Sequence, residues 1–393
     1  MHDVVIAGGG PVGSRVAFKL AEAGYDVLVL EKREAIGGRV CCAGIIGQEC
    51  IDSFNINSDV ILRRANSARI YSPSGRLLSL WRQGNQACIV DRAALDSSLA
   101  KRAEAAGVKF IFSCSAGNAE LKTDRITIET SGNSTKLGYD ARALVVATGF
   151  GDGLVERVGL GKPGDYVIGA QAEVTLRDIN EIEVYMGREV APGFFAWLVP
   201  TGPHKALAGL LSRSNPKRYL KKLLSALKAD GKITNDNLKI VCRGINIKPL
   251  TKTYGRRLMV VGDAAGQVKP TTGGGIYFGL LAADTAVDNL KRALQMNDFS
   301  AGSLADYQKQ WKKKLARELK ICYWARRLYE RLSDRQIDKI YDITLDSGIY
   351  RTLLESDDLS FDWHGRVISR ALRKKALTGA LAAMKIPFRI GLK

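Results

Sequence analysis

The sequence predicts an α/β fold that carries an inserted antiparallel β-sheet lobe and ends in a helical region. Three observations predict it. A β-branched run over residues 3–7 feeds straight into a glycine-rich turn and a helical stretch. A second strand, glycine turn and helix begin far along the chain, at Arg257. Between the two lie short alternating segments separated by Ser-Pro-Ser-Gly and Thr-Gly-Pro turns, the mark of hairpins rather than helices. The 393 residues suit two domains, or one discontinuous domain with an inserted lobe.

The first element is the run Asp3-Val4-Val5-Ile6-Ala7, which reads as a buried parallel strand. It enters Gly8-Gly9-Gly10-Pro11-Val12-Gly13, then a helix over residues 14–22, then a strand over residues 25–30 that ends at Glu31. Each glycine has its own task. Gly8 permits the tight turn, Gly10 lets the backbone approach a pyrophosphate, and Gly13 allows helix and strand to pack closely. The helix start offers N–H donors to the anion, and Glu31 can accept hydrogen bonds from a ribose diol. A dinucleotide is therefore expected, and this unit alone does not distinguish NAD from FAD.

The second element decides between them. A strand over residues 257–261 ends in Gly262-Asp263-Ala264-Ala265-Gly266, followed by Pro270, Gly273-Gly274-Gly275-Ile276 and a long helix over residues 277–290. A protein holding only NAD needs no second glycine-rich helix start so far from the first. One holding FAD does, with Asp263 at the ribityl chain and the helix start near the pyrimidine end of the flavin. A helix opening after Val90-Asp91-Arg92 and a strand ending in Ala147-Thr148-Gly149 complete a Rossmann-type FAD-binding domain. Its expected parts are residues 1–60, 86–165 and 250–295.

Residues 61–85 and 166–249 are expected to form the substrate-binding sheet. Its strands are read at residues 68–71, 76–81, 170–175, 182–185 and 194–211, the last folded around Thr201-Gly202-Pro203. Asn215-Pro216 then opens a helix as cap and first residue, with Leu220, Leu223, Leu224 and Leu227 on one face and Lys217, Lys221, Lys222 and Lys228 elsewhere. Residues 296–393 form the helical basic C-terminal region. From Arg366 to Lys393 it holds eight Lys/Arg and no acidic residue, interleaved with Leu372, Leu377, Leu381, Met384, Ile386 and Phe388.

The chain carries 59 Lys+Arg against 40 Asp+Glu, a formal charge of +19, which asks for an anionic partner. Basic amphipathic helices suit an anionic lipid surface, although an ordinary helix with a solvated charged face gives the same pattern. No recognisable nucleic-acid module is present, so nucleic acid is not expected. Seven irregularly spaced cysteines without a CxxC pair, and three scattered histidines, read as free thiols and no metal centre. No apolar run is long enough to span a bilayer, and the first strand leaves no room for a signal peptide. A cytoplasmic protein touching the membrane peripherally is the expectation.

On these residues the chain resembles the geranylgeranyl reductase family, of the digeranylgeranylglycerophospholipid reductase type, within the p-hydroxybenzoate hydroxylase-like flavoproteins. The resemblance is carried by Gly8 to Gly13, Glu31, the Arg92 element, Ala147-Thr148-Gly149 and Asp263 through Ile276. Cys42-Ala43-Gly44-Ile45 after Gly37-Gly38-Arg39 matches a cysteine-bearing loop beside the flavin. Phe195-Ala196-Trp197-Leu198-Val199-Pro200 matches an aromatic-x-Trp-x-aromatic-Pro motif of the substrate tunnel, with Phe195 where tyrosine is common and Val199 where an aromatic is common. The resemblance implies FAD contacts at Val12, Glu31, Cys42, Ala43, Arg92, Ala116, Asp263, Gly275 and Ile276, with Gly8, Gly10, Gly13, Gly266 and Gly274 shaping the site. It implies substrate contacts at Phe195, Trp197 and Pro200.

The implied activity is reduction of isolated C=C bonds in geranylgeranyl chains, on a membrane lipid, by hydride from flavin N5. Cys42 would gate the substrate or relay the proton, or it simply packs a loop. The electron donor is NAD(P)H or a ferredoxin, since only one dinucleotide fingerprint is present. Two alternatives stay open: a flavin-dependent aromatic monooxygenase or halogenase of the same fold, and a flavoprotein passing electrons to quinone.

Overall fold

The computed structural model describes every residue except 39, 133–137, 178, 235–237, 357–358 and 374–393. By contact the chain divides into two compact units, Met1–Val40 with Arg92–Tyr166 and Gly244–Arg317, and Cys41–Asp91 with Val167–Arg243 and Glu318–Lys393. Residues 41–60, read from sequence as part of the FAD-binding stretch, pack in the second of these units.

The first unit is built on an eight-stranded sheet. Its parallel part runs Lys109–Ile111, Val27–Leu30, His2–Ala7, Gly138–Val146 and Leu258–Val260. These strands read as continuous apolar runs because both faces are covered: Val4, Val5, Ile6, Leu144, Val145, Val146, Met259 and Val260 are all fully buried. The helices Pro11–Ala21, Arg92–Ala105 and Ile276–Met296 belong to this unit and bury their apolar residues. An antiparallel meander, Cys114–Leu121 with Ile126–Gly132, joins the sheet on Gly138–Val146. The sequence reading did not anticipate it, because only one face of that meander is apolar.

The second unit carries a seven-stranded sheet in the order Val241–Asn246, Tyr166–Thr175, Lys205–Ser212, Phe195–Gly202, Ile182–Met186, Ser67–Tyr71, Leu77–Trp81. The expected hairpins are there, Ser67–Tyr71 with Leu77–Trp81 and Phe195–Gly202 with Lys205–Ser212. One expectation is corrected. The sheet is mixed, because Ile182–Met186 runs parallel to Ser67–Tyr71. Those two strands are far apart in sequence, and a long connection permits the parallel pairing that a tight turn forbids. A smaller antiparallel sheet, Ile45–Gly47, Ala87–Val90 and Ile61–Ala65, was not foreseen.

The helix Pro216–Ala229 forms as read, with Leu220, Leu223, Leu224 and Leu227 buried and Lys217, Lys221, Lys222 and Lys228 exposed. Its leucine face is thus already covered by protein and is not presented to lipid. Asn215 does sit at the cap position, but with a left-handed φ of +50° and no side-chain cap bond. The C-terminal helices include Ala301–Arg331, Asp334–Asp346 with a Ser333/Gln336 capping box, and Gly365–Ala371. The Glu318 carboxylate accepts from the N–H groups of His364 and Gly365, serving as an acidic cap on the last of these. Leu377, Leu381, Met384, Ile386 and Phe388 lie outside the described residues. Among the described residues no helix is long and apolar enough to cross a membrane.

Candidate functional site

The first glycine turn is built by backbone that tolerates no side chain. Gly8 has φ of +104°, and a Cβ there would stand 2.5 Å from the Ala147 carbonyl oxygen. A Cβ on Gly13 would collide with the Gly8 carbonyl oxygen, which fixes how closely the helix meets the strand. Gly10 faces open space, leaving room for a ligand to reach the backbone. Pro11 occupies the first helical position and no side chain caps the helix at Gly10, so the helix start presents N–H groups to an anion.

Glu31 is 8% exposed and accepts from the Gly9 N–H (2.8 Å) and the Arg33 N–H (3.0 Å). Each such bond to a carboxylate contributes about 1.5–3 kcal/mol to holding the turn. The carboxylate is thereby fixed at the end of its strand, where a ribose would be met. Arg92 begins the helix Arg92–Ala105, its guanidinium bonded to Asp96 at 2.6 Å. Gly37, with φ of +86°, lies against the Ala93 carbonyl and Ser97 hydroxyl of that helix. Ala116 is buried in the strand Cys114–Leu121, paired with Thr130.

The second glycine turn follows the strand Leu258–Val260. The two glycine elements meet directly through Val12. Its methyls fill the space over Gly262, where a Cβ would be 3.1 Å away, and over Gly279, where it would be 2.6 Å away. Asp263 stands at Gly275, since a Cβ there would strike its Oδ1, and the Asn246 amide donates to the Asp263 carbonyl at 2.9 Å. Gly266 has φ of +70° and runs against the Lys248 carbonyl. Behind the turn, Gln267 accepts from the Gly262 N–H (2.7 Å) and donates to the Tyr307 hydroxyl (2.9 Å), which donates to the Val260 carbonyl (2.8 Å). This buried chain of bonds was not read from sequence, because Gln267 and Tyr307 are polar residues with no motif to announce them. Gly274 and Gly275 lead into Ile276, the first residue of the helix Ile276–Met296.

Cys42, Ala43, Phe195, Trp197 and Pro200 belong to the second unit. The loop carrying Cys42 is held at its backbone, where the Gln171 amide donates to the Cys42 carbonyl at 3.2 Å. The Gly44 N–H points at the Cys42 sulfur, 3.4 Å away. Its neighbour Cys41 is half-buried and donates to the Val241 carbonyl at 3.6 Å, and this burial pushes its thiol up to about 12. In the strand Phe195–Gly202, Phe195 and Trp197 meet edge-on with centroids 6.2 Å apart. Gly209 on the adjacent strand makes room for the indole, since a Cβ there would be 2.5 Å from its Cζ2. Trp197 is 9% exposed, and its Nε1 has no hydrogen-bond partner among the described residues. Pro200 is buried, as is Val199.

The FAD dependent oxidoreductase family matches residues 3–175. The digeranylgeranylglycerophospholipid reductase of Methanocaldococcus jannaschii is 32% identical over 359 residues, covering 86% of this chain and 90% of that one. The chain belongs to the digeranylgeranylglycerophospholipid reductase family. A second member, from Methanopyrus kandleri, is 30% identical and covers 86% of this chain and 89% of its own length. Among solved structures, a geranylgeranyl bacteriochlorophyll reductase-like protein from Thermoplasma acidophilum superposes with a TM-score of 0.85 at 24% identity, over 98% of both chains. A p-nitrophenol 4-monooxygenase from Pseudomonas putida shares the fold at a TM-score of 0.71 and 18% identity, over 90% of this chain and 96% of that one.

As a member of this family the protein is a FAD-dependent oxidoreductase, and its residues fit the cofactor. The open space at Gly10, the cradle at Gly13 and the carboxylates of Glu31 and Asp263 match a dinucleotide with a sugar-alcohol chain. The buried Thr148 hydroxyl has no partner among the described residues, a group a ligand would satisfy.

Proposed function

We propose that this chain saturates isolated C=C bonds of geranylgeranyl chains carried on a membrane glycerophospholipid. The observation that carries the reading is the match at 32% identity, over 86% of this chain, to a relative named for that lipid. When bound, FAD supplies hydride from its reduced N5; an isolated alkene is unactivated, so the protein's part is alignment and exclusion of water. Gly8, Gly10, Gly13, Glu31, Arg92, Ala116 and Asp263, with Val12, Gly266, Gly274, Gly275 and Ile276 around them, bind and orient the cofactor. Phe195, Trp197 and Pro200 form an apolar wall for the prenyl chain, and Cys42 with Ala43 borders the reacting centre. There the Cys42 thiol gates the alkene or delivers the proton that must reach the second carbon. NAD(P)H or a ferredoxin refills the flavin with electrons. The exposed Lys217, Lys221, Lys222 and Lys228, together with the basic residues beyond Arg366, hold the protein peripherally on an anionic surface.

The test uses the dithionite-reduced protein without oxygen and a digeranylgeranyl glycerophospholipid in detergent. Products gaining about two mass units per double bond support the reading. No mass gain, with turnover appearing only when oxygen and an aromatic substrate are supplied, would move the chain to the monooxygenases.

A further inference from the structure

The helix Ala301–Arg331 is covered along one side and open along the other. Leu304, Tyr307, Trp311, Leu315, Leu319 and Cys322 are buried. Lys313, Arg317, Lys320 and Trp324 are exposed, Trp324 by 49%. Steps of four, three and four residues keep these four side chains within an arc of about 60°, opposite the buried face. At the helical rise the row is about 16 Å long. It lies on one unbroken helix, so its alignment follows from the helical period alone.

The charge on this row is unanswered. Lys309 pairs with Asp306 towards one end and Arg327 with Glu330 towards the other. Between them Lys313, Arg317 and Lys320 form no ion pair among the described residues. Lys312 is exposed beside them, as is Lys314. From Lys309 to Tyr329 the one acidic residue is Glu318, and its buried carboxylate is turned inward to cap the helix Gly365–Ala371. An exposed tryptophan by itself is ordinary. In line with unanswered cations it has a physical use: the indole is apolar in body and polar at its N–H, which suits a boundary oily on one side and wet on the other. Lysine and arginine suit the phosphates at that same boundary. The helix Pro216–Ala229 differs, since its Lys222 is answered by Glu189 and it carries no exposed aromatic side chain.

We propose that this row is a face by which the protein docks on a bilayer of anionic glycerophospholipid, with Lys313, Arg317 and Lys320 on headgroup phosphates and Trp324 set into the boundary. This docking rests on the reading that the substrate is a membrane glycerophospholipid.

The experiment uses the full chain loaded with FAD and vesicles with saturated chains, so that binding is read without reduction. Co-sedimentation compares phosphatidylglycerol mixed into phosphatidylcholine with phosphatidylcholine alone. The parent is expected to prefer the anionic vesicles, and less so at high salt. The triple variant Lys313→Gln, Arg317→Gln, Lys320→Gln should bind them about a hundredfold more weakly. Trp324→Ala should lose about tenfold, with Trp324→Phe between it and the parent. A parent that ignores anionic vesicles would overturn the proposal, as would variants with full flavin content that bind like the parent. Parent-like vesicle binding by the triple variant, with slower reduction by a ferredoxin, would assign the row to an acidic protein instead. All variants should still reduce digeranylgeranyl glycerophospholipid dispersed in detergent. A parent without that activity fails the lipid reading; a parent with it, whose variants dock normally, fails only the docking face.

Discussion

The two units hold their important positions by different means. In the parallel-sheet unit the backbone does the holding: Gly8 and Gly262 take positive φ, Gly13 touches the Gly8 carbonyl, and Glu31 grips the Gly9 N–H. In the mixed-sheet unit side chains do it: Trp197 lies over Gly209 and turns its edge to Phe195, while Gln171 ties down the Cys42 loop. Backbone constraints leave few alternatives, so a change there removes the site. Side-chain constraints leave many, so a change there retunes it. Cofactor binding and substrate choice should therefore respond separately to mutation.

The largest expected effect is at the first glycine turn. Gly13→Ala forces helix and strand apart and should weaken FAD by at least about 3 kcal/mol, roughly a hundredfold in Kd. The flavin absorbance of the purified protein checks it. A Gly13→Ala protein with full flavin content would show that the backbone is less constrained than argued.

Cys42→Ser is next. It should slow alkene reduction by about a hundredfold, the scale of a lost proton-transfer group, while FAD content is unchanged. Stopped-flow reoxidation under substrate reads this, and unaltered turnover would reduce Cys42 to loop packing.

Gly209→Ala pushes on the Trp197 ring and should cost about 1–3 kcal/mol of stability, the usual penalty for overpacking. A shift in which double bonds are reduced should accompany it, with the flavin spectrum intact. Loss of FAD from Gly209→Ala would contradict the separation of the two units' roles.

The smallest effect is acid sensitivity, and it should also divide between the units. Burial raises the Glu330 pKa, but the Arg213 hydrogen bonds at 2.6 and 3.2 Å and nearby Arg326 and Arg327 outweigh it, leaving the carboxyl below its usual 4.5. Asp338 is likewise raised by burial and lowered further by Ser72, Ser74 and Arg76, ending below 3.8. A depressed carboxyl adds stability that is present above its unfolded pKa and lost as pH falls through the folded one. The lowered carboxyls of the first unit, Glu22, Asp140 and Asp298, are largely exposed and count for little. Hydrogen exchange on acidification should open the mixed-sheet unit first, and Glu330→Gln should flatten its response below pH 4.5.

The same contrast explains what was legible in the sequence. The glycines, Glu31, Asp263 and the strands flanking them could be read because only glycine meets the required backbone and because buried parallel strands are unbroken apolar runs. The hairpins around residues 72–75 and 201–203 were legible from their turn residues. The parallel pairing of Ile182–Met186 with Ser67–Tyr71 was not, since pairing between distant strands is written in no local pattern. Nor was the fate of the leucine face on Pro216–Ala229, because lipid and protein core select the same residues. Gln267 and Tyr307 escaped notice for a third reason: a buried polar residue looks like a surface one until its neighbours are known.

Electrons held on FAD are expected to pass to an alkene of a prenyl lipid. The direct measurement is stoichiometry in a single turnover, with reduced protein mixed with digeranylgeranyl glycerophospholipid in the absence of oxygen. One double bond saturated for each FAD reoxidised is the predicted result. Flavin that stays reduced until oxygen is admitted, with every double bond intact, would contradict it.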